Sequence, residues 1–72
     1  MKNFRIYVNV EGWEYITTTT NVNKIITTLD NQIDLGAKQF IVIEHENNWD
    51  NPIITTMRQY EEFKEKRLSR KA

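Results

Sequence analysis

The chain opens with alternating apolar and polar residues. Apolar side chains occupy every second position from Phe4 to Val10, and a period of two is typical of a strand with one buried face. Residues 13–19 follow Glu11 and Gly12 and are rich in aromatic and β-branched side chains. We therefore predict that the first two strands form a β-hairpin.

The register of this hairpin depends on the length of its turn. A two-residue loop pairs Val10 with Trp13. A three-residue loop with Gly12 in the left-handed conformation instead pairs Ile6 with Ile16. The two-residue loop is favoured, because it turns Trp13 and the tyrosine two residues later toward the buried face of the first strand.

The most regular helical pattern lies between residues 22 and 33. Its apolar residues form one stripe: Val22, Ile25, Ile26, Leu29 and Ile33. This spacing predicts an amphipathic helix that packs on one face of the sheet. Thr20 or Asn21 can cap its start, and Gly36 can end it in the left-handed conformation.

The segment 40–43 is a run of four consecutive large apolar residues. Successive side chains of a strand point to opposite faces, so this run predicts a central strand covered on both faces. The Asn- and Asp-rich segment 47–51 predicts a turn, and residues 52–56 predict an edge strand that starts at Pro52.

The last part of the chain is predicted to be a second helix, for which Thr56 and Gln59 form a capping box. A longer helix from Asn51 and a polar edge strand over residues 60–66 are the alternatives.

These elements predict one α+β domain over residues 1–72, in the order ββαββα. The sheet is four-stranded and mainly antiparallel, the first helix packs on one face, and residues 64–72 form a basic tail. A chain of 72 residues has room for one small core. Ten basic and ten acidic residues cancel, so net charge does not direct the chain toward nucleic acid or membrane.

The inventory of reactive side chains is poor. The chain has no cysteine, one serine and one histidine, so we expect no enzyme, no cofactor and no metal site. His45 stands between Glu44 and Glu46, but neighbours in a strand point to opposite faces. The two glutamates alone are a weak cation site, and we interpret them as a solvated strand end.

The second face of the predicted sheet is the strongest candidate for function. It would carry an apolar stripe of Tyr7, Ile16, Ile41 and Ile43. Burying four such side chains is worth about as much free energy as a domain of this size has in total. Either the second helix or another chain must cover this stripe. We favour another chain, and predict a homodimer that also docks on an unidentified protein.

Two charged sets are further candidates. Asp30 and Asp34 oppose the dipole of the first helix and repel each other, which indicates either a basic partner or an internal cation that offsets them. The basic tail contains Lys64, Lys66, Arg67, Arg70 and Lys71. It supports an alternative function, nucleic-acid binding aided by Tyr or Trp stacking, against the simpler interpretation of a frayed helix end.

The sequence therefore predicts a small, non-enzymatic interaction protein. Its N-terminal alternation differs from a signal peptide and no apolar run is long enough for a membrane span, so we expect a cytoplasmic protein that does not bind membranes. The heavy use of Ile, Asn, Lys and Thr is typical of AT-rich coding sequence. It fits a low-GC bacterium or one of its phages or plasmids, and we consider an accessory factor of a phage or mobile element as the origin.

Overall fold

The computed structural model describes the backbone of residues 2–69 and the side chains of residues 2–66. Its elements are β1 (Asn3–Asn9), β2 (Trp13–Thr19), α1 (Val22–Asp34), β3 (Gln39–Glu46), β4 (Trp49–Ile54) and α2 (Met57–Ser69). The strands form one antiparallel sheet in the order β2-β1-β3-β4. The predicted α+β class, element order and four-stranded sheet are confirmed.

Local hydrogen bonds define both ends of α1. The Asn21 side chain accepts a hydrogen bond from the backbone N–H of Asn23 at 2.9 Å, as an N-cap does. At the other end Gly36 has a φ of 103°, and its N–H donates to the carbonyl of Ile33 at 3.0 Å. This left-handed ending is the one predicted for Gly36.

The first hairpin has the three-residue turn, so the favoured two-residue register was wrong. Trp13 pairs with Asn9 and Tyr15 with Tyr7, which places both aromatic side chains on the face away from the helices. Gly12 has a φ of 149° in this turn. Ile16 is the extra residue of a β-bulge and packs against the core. The three-residue turn therefore supplies the core with Ile16, where we expected aromatic side chains.

The second hairpin is tighter than predicted. Its loop is Asn47 and Asn48, whose φ angles of 51° and 63° fit a type I′ turn. As a result β4 begins at Trp49, three residues before the predicted start at Pro52. A second bulge inserts Ile53 opposite β3, and this side chain also packs against the core.

Both helices pack on the same face of the sheet. Residues 57–69 are helical, so the edge-strand alternative and the longer helix were wrong. Thr56 caps α2 by accepting a hydrogen bond from the N–H of Gln59 at 3.1 Å. Tyr60 is buried from α2 with its ring edge-on to Phe40 of β3. The buried core is Phe4, Ile6, Val8, Ile25, Leu29, Phe40, Val42, Ile54 and Tyr60.

Candidate interaction surface

The sheet face opposite the helices, here called the open face, is not covered by any element among residues 2–69. Residues directly opposite each other on antiparallel strands point to the same face, so the register defines its composition. Its four rows are Asn3, His45 and Asp50; Thr18, Arg5, Ile43 and Pro52; Tyr15, Tyr7 and Ile41; and Trp13, Asn9 and Gln39.

The middle of the open face is apolar. Tyr7 and Tyr15 contact each other edge-to-face, with ring centroids 5.7 Å apart. Tyr7 and the two isoleucines, Ile41 and Ile43, are partly exposed. Tyr15 is 57% exposed and Trp13 50%. Large aromatic side chains exposed on a flat sheet are typical of surfaces that bury them against a partner.

Three of the four residues predicted for this stripe lie together on it: Tyr7, Ile41 and Ile43. Ile16 does not, because the three-residue turn places its side chain on the core side of β2. Trp13 and Tyr15 take its place in the apolar surface. The signal that could have identified them is Gly12, because a glycine just before the second strand fits the left-handed third position of a three-residue turn.

Polar side chains occupy the two ends of the open face. At one end His45 Nδ1 hydrogen-bonds Asp50 Oδ1. Beside His45, the side-chain oxygen of Asn3 is shielded from solvent and has no hydrogen-bond partner among the described residues. At the other end the Asn9 amide donates to Gln39 at 3.1 Å.

Arg5 is the cation of the face's second row, between Thr18 and Ile43. Its side chain is partly exposed, and it forms no ion pair with any described residue. A cation therefore lies at the margin of the apolar centre with no carboxylate of its own chain holding it.

Within the fold, Asp30 of α1 is paired with two side chains of α2. The Tyr60 hydroxyl lies 2.6 Å from Asp30 Oδ1 and 2.9 Å from the Ile26 carbonyl oxygen, so its one hydrogen is shared between them. Lys64 Nζ lies 3.2 Å from the same Asp30 oxygen. The hydrogen bond from Tyr60, and then Lys64, hold the pKa of Asp30 below its ordinary value against the opposing effect of burial.

The internal interpretation of Asp30 therefore holds, and it is Lys64 that offsets this carboxylate. The same contact shields Lys64 itself, which also lies 5.3 Å from the centre of the Tyr60 ring. Asp34 is exposed and forms no ion pair with a described residue. Of the predicted partner contacts on α1, Asp34 alone remains available.

Of the predicted nucleic-acid contacts, Lys64 and Lys66 have described side chains, and of the exposed aromatic residues Trp13, Tyr15 and Trp49, Trp49 alone lies on their side of the sheet. Lys64 and Lys66 project from α2, which lies on the helix side of the sheet, whereas Tyr7, Tyr15 and Trp13 lie on the open face. Lys66 helps to line a shallow depression of about 220 Å³ between α2 and β4. The side chains of Arg67, Arg70 and Lys71 fall outside the described residues.

The acidic residues of β3 do not converge on a cation site. Glu44 Oε2 lies 3.6 Å from Lys2 Nζ, and Glu46 is exposed at the end of the strand. Within residues 2–66, no three His, Asp or Glu side chains are placed to share a metal ion. Among the described helices, none has the length and hydrophobicity needed to cross a membrane.

No protein-family model, curated protein or solved structure matches this chain. The case for its function therefore rests on the geometry of the chain itself.

Proposed function

We propose that this protein is a non-enzymatic interaction module that docks on another protein through its open face. One observation carries the proposal: both helices pack on the same side of the sheet. This leaves Trp13, Tyr15, Tyr7, Ile41 and Ile43 on the other side without a covering element in the described chain. Aromatic residues presented by a rigid sheet lose little conformational entropy on binding.

The edges of the sheet are less suited to docking than its face. Each outer strand carries a bulge, at Ile16 in β2 and at Ile53 in β4. In addition, Pro52 lacks a backbone donor in β4. Bulges and prolines are common means of preventing strand addition at an edge. The open face is thus the surface that the fold leaves for association.

A protein partner fits this surface better than a nucleic acid. Bases stack on aromatic rings, and a basic groove must accompany the rings to hold the phosphates. On the open face Ile41 and Ile43 lie beside the aromatic residues, and Arg5 is the single Lys or Arg of its four rows. An apolar, aromatic centre that includes an Arg is typical of protein–protein interfaces.

The proposal is tested by affinity capture from cells that make this protein, with substitutions on opposite sides of the molecule. Tyr15→Lys places a charge on the open face, whereas Asn31→Lys adds the same charge on exposed α1. We expect the wild type and Asn31→Lys to retain the same proteins after nuclease treatment, and Tyr15→Lys to lose them. Retention of the same proteins by Tyr15→Lys and by Ile41→Lys would contradict the proposal.

A further inference from the structure

We infer that the open face binds a second copy of this chain, forming a two-fold dimer in which two sheets pack face to face. The inference rests on the proposed function and names the occupant of its surface. Three features of the open face carry it: its size, the arrangement of its rows, and the position of Arg5.

The size of the face suits a small homodimer. The molecule is a flat two-layer body whose Cα atoms span 35 × 32 × 17 Å, and the sheet is one broad side of it. Four strands of about seven residues present a projected area on the order of 500 Å². Side-chain relief adds to that, so the accessible area approaches the roughly 800 Å² that each partner buries in a standard interface. Interfaces of about this size dissociate anywhere from the micromolar to the picomolar range, and the small area of this face favours the weak end of that range.

The rows have the layout of an interface between identical copies. The two middle rows contain the apolar centre, together with Arg5 and Thr18, and the two end rows are polar except for Trp13. A two-fold axis lying in the interface, perpendicular to the strands, exchanges the two middle rows with each other and the two end rows with each other. The isoleucines of β3 then meet each other, and the polar residues Asn3 and His45 meet Asn9 and Gln39. Sheets packed in this way form the two halves of a β-sandwich.

The same axis gives Arg5 a partner. Arg5 and Tyr7 are adjacent on the open face of β1, in the two middle rows. The two-fold operation places the guanidinium of each copy over the Tyr7 ring of the other. An Arg over a tyrosine face is a favourable cation–π contact that needs no carboxylate. Ile41 of each copy likewise meets Ile43 of the other.

The two tryptophans of the chain are natural reporters for this dimer. Trp13 lies on the open face and is 50% exposed. Trp49 pairs with Glu46 on the helix side of the sheet and is 72% exposed. The tryptophan fluorescence of the variant Trp49→Phe therefore comes from Trp13 on the open face alone. That of Trp13→Phe comes from Trp49, which lies outside this face.

Sedimentation equilibrium and acrylamide quenching together test the inference. We expect a micromolar monomer–dimer equilibrium, and quenching of Trp13 in Trp49→Phe that falls as the protein concentration rises. Quenching of Trp49 in Trp13→Phe should not depend on the protein concentration.

Ile41→Lys places two charges in the dimer, one from each copy, and should raise the dimer dissociation constant at least about a hundredfold. Tyr15→Lys, at a site already 57% exposed in the monomer, should do the same without affecting folding. Asn31→Lys should leave the dissociation constant unchanged.

Three results would overturn the inference. A monomer at all concentrations is the first, and a dimer that persists in both Ile41→Lys and Tyr15→Lys is the second, because it would use another surface. The third is a monomer whose Trp13 is quenched by a single-stranded oligonucleotide, which would assign the face to nucleic acid. If the chain is monomeric and Tyr15→Lys still loses its captured proteins, the dimer is wrong and the proposed function stands. If the dimer forms and no captured protein depends on the face, the dimer stands and the proposed function is wrong.

Discussion

The Tyr60 hydroxyl of α2 lies 2.6 Å from Asp30 Oδ1 of α1, and this contact joins the two helices across the top of the core. The Tyr60 ring is buried against Phe40 while its hydroxyl reaches the helix surface. The buried ring places α2 on the same side of the sheet as α1, away from the open face. One tyrosine thus connects the packing of the helices with the exposure of the open face.

Tyr60→Phe tests the strength of this contact. The substitution keeps the buried ring and removes the hydrogen shared between Asp30 and the Ile26 carbonyl. We expect the free energy of unfolding to fall by about 1 to 2 kcal/mol, because the lost bond has a charged acceptor that is partly in solvent. Denaturant unfolding followed by circular dichroism measures the change.

Tyr15→Phe is the matched control for that experiment. The Tyr15 hydroxyl also makes a 2.6 Å hydrogen bond, to Thr18, but on the exposed surface. Its loss should change the free energy of unfolding by less than about 0.5 kcal/mol. Equal effects of the two substitutions would mean that the Tyr60 hydroxyl does not join the helices.

The Asp30 carboxylate makes the free energy of unfolding depend on pH in the acidic range. The hydrogen bond from Tyr60 lowers the Asp30 pKa in the folded state below the ordinary value of 3.8. Because the unfolded chain then takes up the proton first, the stability from this carboxylate is complete at neutral pH. It is lost as the pH falls through 3.8 toward the folded-state value. We expect Asp30→Asn to be less stable than the wild type at pH 7, with the difference shrinking in acid.

Asp34→Asn provides the comparison, since it removes the same charge four residues later without touching Tyr60. Urea unfolding of the three proteins between neutral pH and about pH 2.5 measures the trend. The half-exposed position of Asp30 keeps the effect modest. A difference between wild type and Asp30→Asn that stays constant over this range would refute the linkage.

The sequence predicted the fold class, the order of elements and the extent of α1, and it favoured a helix over an edge strand for residues 57–69. These follow from periodicity and local capping, which nearby residues determine. The favoured register of the first hairpin was wrong, because its turn has three residues and not two, which exchanges the faces of Trp13 and Tyr15. The Tyr60–Asp30 contact joins residues 30 positions apart, and no local pattern indicates such a pair. The centre of the open face, Tyr7, Ile41 and Ile43, was therefore predicted correctly, whereas its edge on β2 was predicted wrongly.

Asn48→Gly tests the tight turn between β3 and β4. Both loop residues have positive φ angles, and the φ of Asn48 is 63°. Glycine enters this region without a Cβ penalty, and Asn-Gly is a preferred type I′ pair. We expect thermal unfolding to show a stabilisation of about 0.5 kcal/mol. Asn51→Gly, inside β4, should instead destabilise the protein. Destabilisation by Asn48→Gly would mean that the turn has another form.

The basic tail can be tested for nucleic-acid binding without disturbing the fold. Truncation after Phe63 would also remove Lys64 and its contact with Asp30, so a loss of binding would be ambiguous. Replacing Arg67, Arg70 and Lys71 with glutamine avoids this. If these residues bind phosphates, affinity for oligonucleotides should fall with salt with a log–log slope of about −0.7 to −0.9 per contact. The triple variant should then show a smaller slope. We expect neither protein to retain oligonucleotides measurably at low salt. Retention by the wild type that is reduced in the triple variant would support nucleic-acid binding, the alternative function.

Dimerisation through the open face should also make thermal stability depend on protein concentration. A partner that binds only the folded state raises the unfolding temperature by mass action, so dilution below the dimer dissociation constant should lower it. Ile41→Lys should show one unfolding temperature at all concentrations, close to that of the diluted wild type. Its folded monomer should survive, because residue 41 is partly exposed and a lysine there can extend its ammonium group into water. Differential scanning calorimetry across a hundredfold concentration range compares the two proteins. Parallel concentration dependence in both would place the association elsewhere, whereas none in either would mean that the open face stays free of a second copy.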